Sequence, residues 1–130
     1  MPPETLFTMT QRTELPALTT DQLDVLRRFA TFDANIEELR RSLTKVFEFD
    51  LEPPRRTASS HFRVPEPGVL VTRSHISKAL DMEQQGLISQ GQLVDWATML
   101  LLNDAFQPDP QDEDFVAEWL DRISHSFDPT

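Results

Sequence analysis

At 130 residues and 38% hydrophobic content, the chain is long enough for one domain that buries a core and too short for a second full one. The absence of cysteine excludes disulfides, thiol catalysis and Cys-ligated zinc. The net charge of −10 is unevenly held: residues 1–75 carry eleven acids against ten bases, whereas residues 76–130 carry eleven acids against two, Lys78 and Arg122. Binding nucleic acid through that second half would bring carboxylates toward phosphates, so a basic protein is the better electrostatic match.

Residues 1–18, with three prolines and no clear period, are expected to be an extended lead-in to one compact domain over residues 19–130. They lack a basic leader and a long apolar run, and the longest apolar run anywhere, residues 99–102, is far too short to span a membrane. A cytoplasmic protein with no membrane segment is the expectation.

The stretch TTDQLDVLRRFATF predicts a helix, with Thr19 and Gln22 spaced as a capping box and Leu23, Leu26 and Ala30 on one face. NIEELRRSLTKVF predicts a second, started by Asn35 and Glu38, with Ile36, Leu39, Leu43 and Phe47 at helical spacing. The period then changes. In VFEFDLE, Phe47, Phe49 and Leu51 alternate with Glu48, Asp50 and Glu52, the pattern of a half-buried strand that Pro53 and Pro54 would end. Phe62, Val64, Val69 and Val71 alternate again, so an antiparallel hairpin is expected, with PPRRTASS as its loop.

The third helix can be capped by Thr72 or Ser74 and should run through Gln85, with Gly86 where a left-handed residue is wanted. Ser89 and Gln92 form another capping box for a helix to about Asn103, on which Leu93, Trp96, Ala97, Leu100 and Leu101 define an apolar stripe. QPDPQDED reads as an acidic loop whose Asp112 can cap a last helix bearing Phe115, Val116, Trp119 and Ile123. The fold class predicted is α+β, mainly α: about five helices with a short two-stranded hairpin between the second and third.

One stretch carries a chemical suggestion. Counting twelve positions from Asp81, Glu83 and Gln85 fall at the third and fifth, Gly86 at the sixth, Ile88 at the eighth and Gln92 at the twelfth, which resembles a calcium-binding EF-hand loop. The glycine and isoleucine are in register, but Gln92 offers one neutral oxygen where a bidentate carboxylate is required, so metal affinity should collapse and no metal is expected. His61, His75 and His125 lie far apart in different elements, and glycines only at positions 68, 86 and 91 leave no phosphate-cradling loop. No cofactor is expected, and no intact catalytic motif argues for an enzyme.

From residue 71 to 124 the order VTRSHISKALDMEQQGLISQGQLVDWATMLLLNDAF and then DEDFVAEWLDRIS resembles an arrangement recurring in small bacterial proteins: a helix, Gly-x-Ile-Ser, a helix with Trp-Ala, an acidic turn and a last helix. It is also similar to the small acidic helical immunity proteins that protect bacteria from colicin-like toxins. The resemblance rests on Gly86, Ile88, Ser89, Trp96 and Ala97, leaves residues 1–70 unaccounted for, and transfers no binding residues. It implies a non-enzymatic inhibitor. The candidate partner-binding residues are the seven acids between positions 104 and 121, where there is no base: Asp104, Asp109, Asp112, Glu113, Asp114, Glu118 and Asp121. A small metal-binding or catalytic protein using Asp81, Glu83 and the later acids remains the alternative. Homo-oligomerisation is not readable, nor is whether Trp96 and Trp119 are core or interface.

Overall fold

The computed structural model describes residues 15–51, 56–66 and 68–125. Pro53, Pro54 and all but the last four residues of the lead-in lie outside this set. The chain is α+β and mainly α. Five helices, α1 (Thr20–Ala30), α2 (Ile36–Ser42), α3 (Arg73–Gln84), α4 (Gln90–Leu102) and α5 (Glu113–His125), are joined by strands β1 (Phe47–Asp50), β2 (Thr57–Ser60), β3 (Val69–Val71) and β4 (Phe106–Pro108). The hairpin β1-β2 lies between α2 and α3, as the change of period predicts.

Local chemistry sets most helix starts. Thr19 and Gln22 exchange side-chain-to-backbone bonds of 3.1 and 2.9 Å at the head of α1, and Ser89 and Gln92 do the same for α4 at 3.0 and 2.8 Å. Asn35 accepts the Glu38 amide at 2.8 Å to start α2. Thr72, rather than Ser74, caps α3. That helix ends in a Schellman turn, in which the amides of Gly86 and Leu87 return to the carbonyls of Glu83 and Met82, with Gly86 at φ +78°.

The same turn ends α1 with an unexpected residue. The amides of Phe32 and Asp33 return to the carbonyls of Phe29 and Arg28, and the left-handed position at φ +65° is filled by Phe32. A bulky residue there costs roughly 1–2 kcal/mol relative to glycine. The conformation lays the Phe32 ring on Trp96, centroids 5.2 Å apart and planes 23° apart, while the Trp96 indole N–H donates to the Phe29 and Ala30 carbonyls at 3.2 and 3.3 Å. Trp96 on α4 thus caps the C-terminus of α1 from outside, sharing the Phe29 carbonyl with the Phe32 amide and supplying a donor to the Ala30 carbonyl.

Trp96 is 1% exposed and settles as core. Around it α4 is buried almost on every side, with Val94, Thr98 and Met99 as covered as the predicted Leu93, Ala97 and Leu100, because α4 runs through the middle of the molecule. Leu101, expected on the stripe, is 47% exposed.

Three further expectations are corrected. The second helix stops at Ser42 instead of reaching Phe47: the Thr44 hydroxyl donates to the Arg40 and Arg41 carbonyls, 3.0 Å each, and Phe47 is taken by β1. The segment TASS is strand, not loop, pairing antiparallel from Phe47↔Ser60 to Asp50↔Thr57; backbone ladders do not require apolar alternation in both partners. Val69–Val71 does not belong to the hairpin. It pairs in parallel with Phe106–Pro108, whose last two residues open the stretch expected to be the acidic loop, so α3 and α4 form the crossover between the two strands. Gly68 permits that approach: a Cβ there would lie 2.6 Å from the Ala105 carbonyl oxygen. Residues 15–18 are tied down by a bridge of Ala17 with Arg63 and a 2.8 Å bond from the Arg63 amide to the Pro16 carbonyl.

Candidate functional site

The seven C-terminal acids separate into two groups. Asp109 and Asp112 carry structure. Asp109, not Asp112, is the capping residue: it accepts the Gln111 amide at 2.9 Å and starts the 3-10 turn that leads into α5. Asp112 reaches across the chain to α3, accepting the Arg73 amide at 2.9 Å with the Arg73 guanidinium 3.8 Å away. It therefore satisfies an orphan amide in the first turn of another helix, where negative charge also complements the dipole.

Asp104 is exposed in the turn after α4, and Glu113 is exposed at the start of α5. Asp114, Glu118 and Asp121 follow at intervals of four and three residues, which stacks them along one exposed stripe of α5. Two further side chains share that stripe: Arg122 binds Glu118 at 2.7 Å, and the His125 ring lies 3.5 Å from the Asp121 carboxylate and 2.8 Å from the Asp121 carbonyl. The Arg122–Glu118 pair is exposed and one turn apart, contributing about 0.3–0.5 kcal/mol at most.

Beside the acids runs an aromatic stripe that sequence reading left undecided. Phe115 and Trp119 are half-buried one turn apart, centroids 6.1 Å. The Arg73 guanidinium sits 4.1 Å over the Phe115 ring and that of Arg122 sits 4.9 Å over the Trp119 ring, giving a continuous run of cation, ring, ring and cation. Trp119 also lines a shallow groove of about 350 Å³ between α3, α4 and α5, walled by Leu80, Leu93 and Ile123. The i, i+4 spacing of the rings was readable; the arrival of Arg73 from α3 was not, because it depends on how the helices pack.

The EF-hand-like stretch folds as two capped helices. Helix α3 continues through Gln84, so Asp81 and Glu83 are helical and project about 200° apart. Asp81 accepts the Gln85 side-chain amide at 2.7 Å, and Gln92 is occupied by its capping box. Among the described residues no three His, Asp or Glu side chains come together in a way that could hold a metal ion. No described helix is long and apolar enough to cross a membrane. Fold and surface together define a small, mainly helical α+β protein with an acidic, aromatic-flanked helix face. Neither family models, curated proteins nor solved structures give a match to the chain.

Proposed function

We propose that the chain is a non-enzymatic binding module that recognises a basic protein through the exposed face of α5, as an inhibitor of the immunity or antitoxin kind in a bacterial cytoplasm. The observation that carries this reading is the adjacency of Trp119 and Phe115 to the carboxylates of Asp114, Glu118 and Asp121. Large aromatics flanked by arginines are the groups that dominate interface energetics, and rim charges of one sign steer an oppositely charged partner into place. Asp109 and Asp112 serve the fold on this reading, and Asp104 and Glu113 extend the acidic field.

The test is kinetic. The triple variant Asp114→Asn, Glu118→Gln, Asp121→Asn should slow association with a basic partner that co-purifies with the wild-type chain at low salt, by about tenfold, and flatten its salt dependence. Trp119→Ala should instead speed dissociation. An unchanged association rate in the triple variant would remove α5 as the recognition face, and retention by DNA or RNA at physiological salt would contradict a protein partner.

A further inference from the structure

The head of α3 ties three parts of the molecule to one another. Thr72 directly follows β3; its amide donates to the His75 Nδ1 atom at 2.9 Å, and its hydroxyl lies 3.0 Å from the same nitrogen. Arg73, the next residue, gives its amide to Asp112 at 2.9 Å and lays its guanidinium 4.1 Å over the Phe115 ring of α5. The carbonyl of Val71, the residue before Thr72, accepts the Asp109 amide at 2.8 Å. One closed capping box therefore fixes the backbone from which Arg73 reaches the aromatic stripe.

We infer that this box is a proton-operated latch: protonation of His75 opens the first turn of α3, withdraws Arg73 from Phe115 and uncovers the N-terminal ring of the α5 face. The geometry fixes the protonation state that closes it. A backbone N–H can be accepted only by a bare Nδ1, so the box exists with a neutral imidazole, whereas an imidazolium presents a proton to a proton. The new charge would also sit at the positive end of the α3 dipole, among first-turn amides that need acceptors. Once the turn loosens, little else holds Arg73. Its side chain is 60% exposed, its guanidinium is 3.8 Å from Asp112, and an exposed cation–π contact is a weak tether.

The charges around His75 favour opening. Burial first, then Lys78 on the same helix, lowers the imidazole pKa from 6.5, and Arg73 adds a second cation two residues back. Strand β3 carries no charged residue and α4 only Asp95, one residue before Trp96. From the α5 side come Asp109, Asp112 and the exposed Glu113 and Asp114, of which Asp109 is turned to the Gln111 amide and Asp112 to Arg73. No described carboxylate offsets the cations at His75. The latch is therefore closed at neutral pH and opens below 6.5.

It is tested without a partner, so its failure and the failure of the α5 reading are told apart. The full chain, labelled with nitrogen-15, is titrated from about pH 7.5 to about pH 5 at constant ionic strength. The His75 ring nitrogens, the Thr72 and Arg73 amides and the Arg73 Nε–H are followed, the last because its shift reports the Phe115 ring current. The Arg73 signal should lose that shift with the midpoint of His75, below pH 6.5. Exchange protection at Thr72 and Arg73 should fall about tenfold beyond the intrinsic effect of pH. His75→Gln, which supplies the residue that closes the boxes of α1 and α4, should keep the Arg73 shift across the range. An Arg73 signal that stays while His75 titrates overturns the latch. So does the same change in His75→Gln, which would give it to the Asp112 carboxylate. Should the glutamine variant fail to fold, the wild-type midpoints decide, and separate midpoints for His75 and Arg73 refute the coupling.

Discussion

The Nδ1 atom of His75 lies 2.9 Å from the Thr72 amide nitrogen and accepts its proton, closing the capping box at the head of α3. In the other two boxes the same position is held by a glutamine, Gln22 or Gln92, whose acceptor does not titrate. His75 is half-buried, and burial first, then the nearby Lys78 charge, lowers its pKa from the ordinary value of 6.5. An imidazolium at this position has no lone pair on Nδ1, would present an N–H to an N–H, and would place a positive charge at the positive end of a helix.

This makes part of the stability pH-dependent with a definite sign. Because the folded pKa lies below 6.5, the contribution is fully present above pH 6.5 and is lost as pH falls through the lowered folded value. His75→Gln should keep the box and flatten that portion of the stability profile between pH 7 and 5. Urea unfolding of both proteins across the range checks it, and parallel profiles would show that His75 is not the titrating group.

Phe32 and Gly86 occupy the same position of the same turn, so they make a matched pair. Gly86→Ala should cost about 1 kcal/mol, all of it torsional, since an added Cβ there meets no atom within 4 Å. At Phe32 the usual order of alanine over glycine should invert. Phe32→Ala loses the ring on Trp96 and keeps the unfavourable φ, whereas Phe32→Gly loses only the ring, so the glycine variant should be the more stable by about 1 kcal/mol. Denaturant midpoints at constant m-value read both.

The exposed and buried leucines of α4 test the placement of that helix. Leu100 is 4% exposed and Leu101 47%. Leu100→Ala should destabilise by about 2–5 kcal/mol, and Leu101→Ala should stay within about half a kilocalorie per mole. Similar losses at both sites would mean that something covers the outer face of α4.

The parallel pairing of β3 with β4 depends on one missing side chain. The Val69 amide donates to the Ala105 carbonyl at 2.7 Å, and a Cβ on Gly68 would fall 2.6 Å from that same oxygen and 2.8 Å from the Gln107 side chain. Since the first obstacle is backbone, Gly68→Ala has to displace the strand itself and should cost about 1–3 kcal/mol. Hydrogen exchange should locate the loss at Val69 and its neighbours.

What the sequence determined is what neighbours along the chain decide between themselves. The boxes of Thr19 with Gln22 and Ser89 with Gln92, the Asn35 cap, the left-handed Gly86 and the alternation from Phe47 to Asp50 all join residues within about one turn of each other, so residue type and spacing suffice. Tertiary structure alone decided the rest. Nothing near Phe32 announces a left-handed residue, because what holds it there is Trp96 on another helix. Asp112 looked like a cap for the helix after it and instead serves Arg73, on a helix thirty-nine positions back. Trp96 and Trp119 carry the same helical pattern, yet α4 is covered by helices on both sides and α5 on one, which buries the first indole and leaves the second half in water. Strand β2 has no apolar alternation, and β3 finds its partner only after two helices have passed. In each case the deciding contact is made by a backbone group or ring brought from far along the chain, where pattern and propensity hold no information about distance.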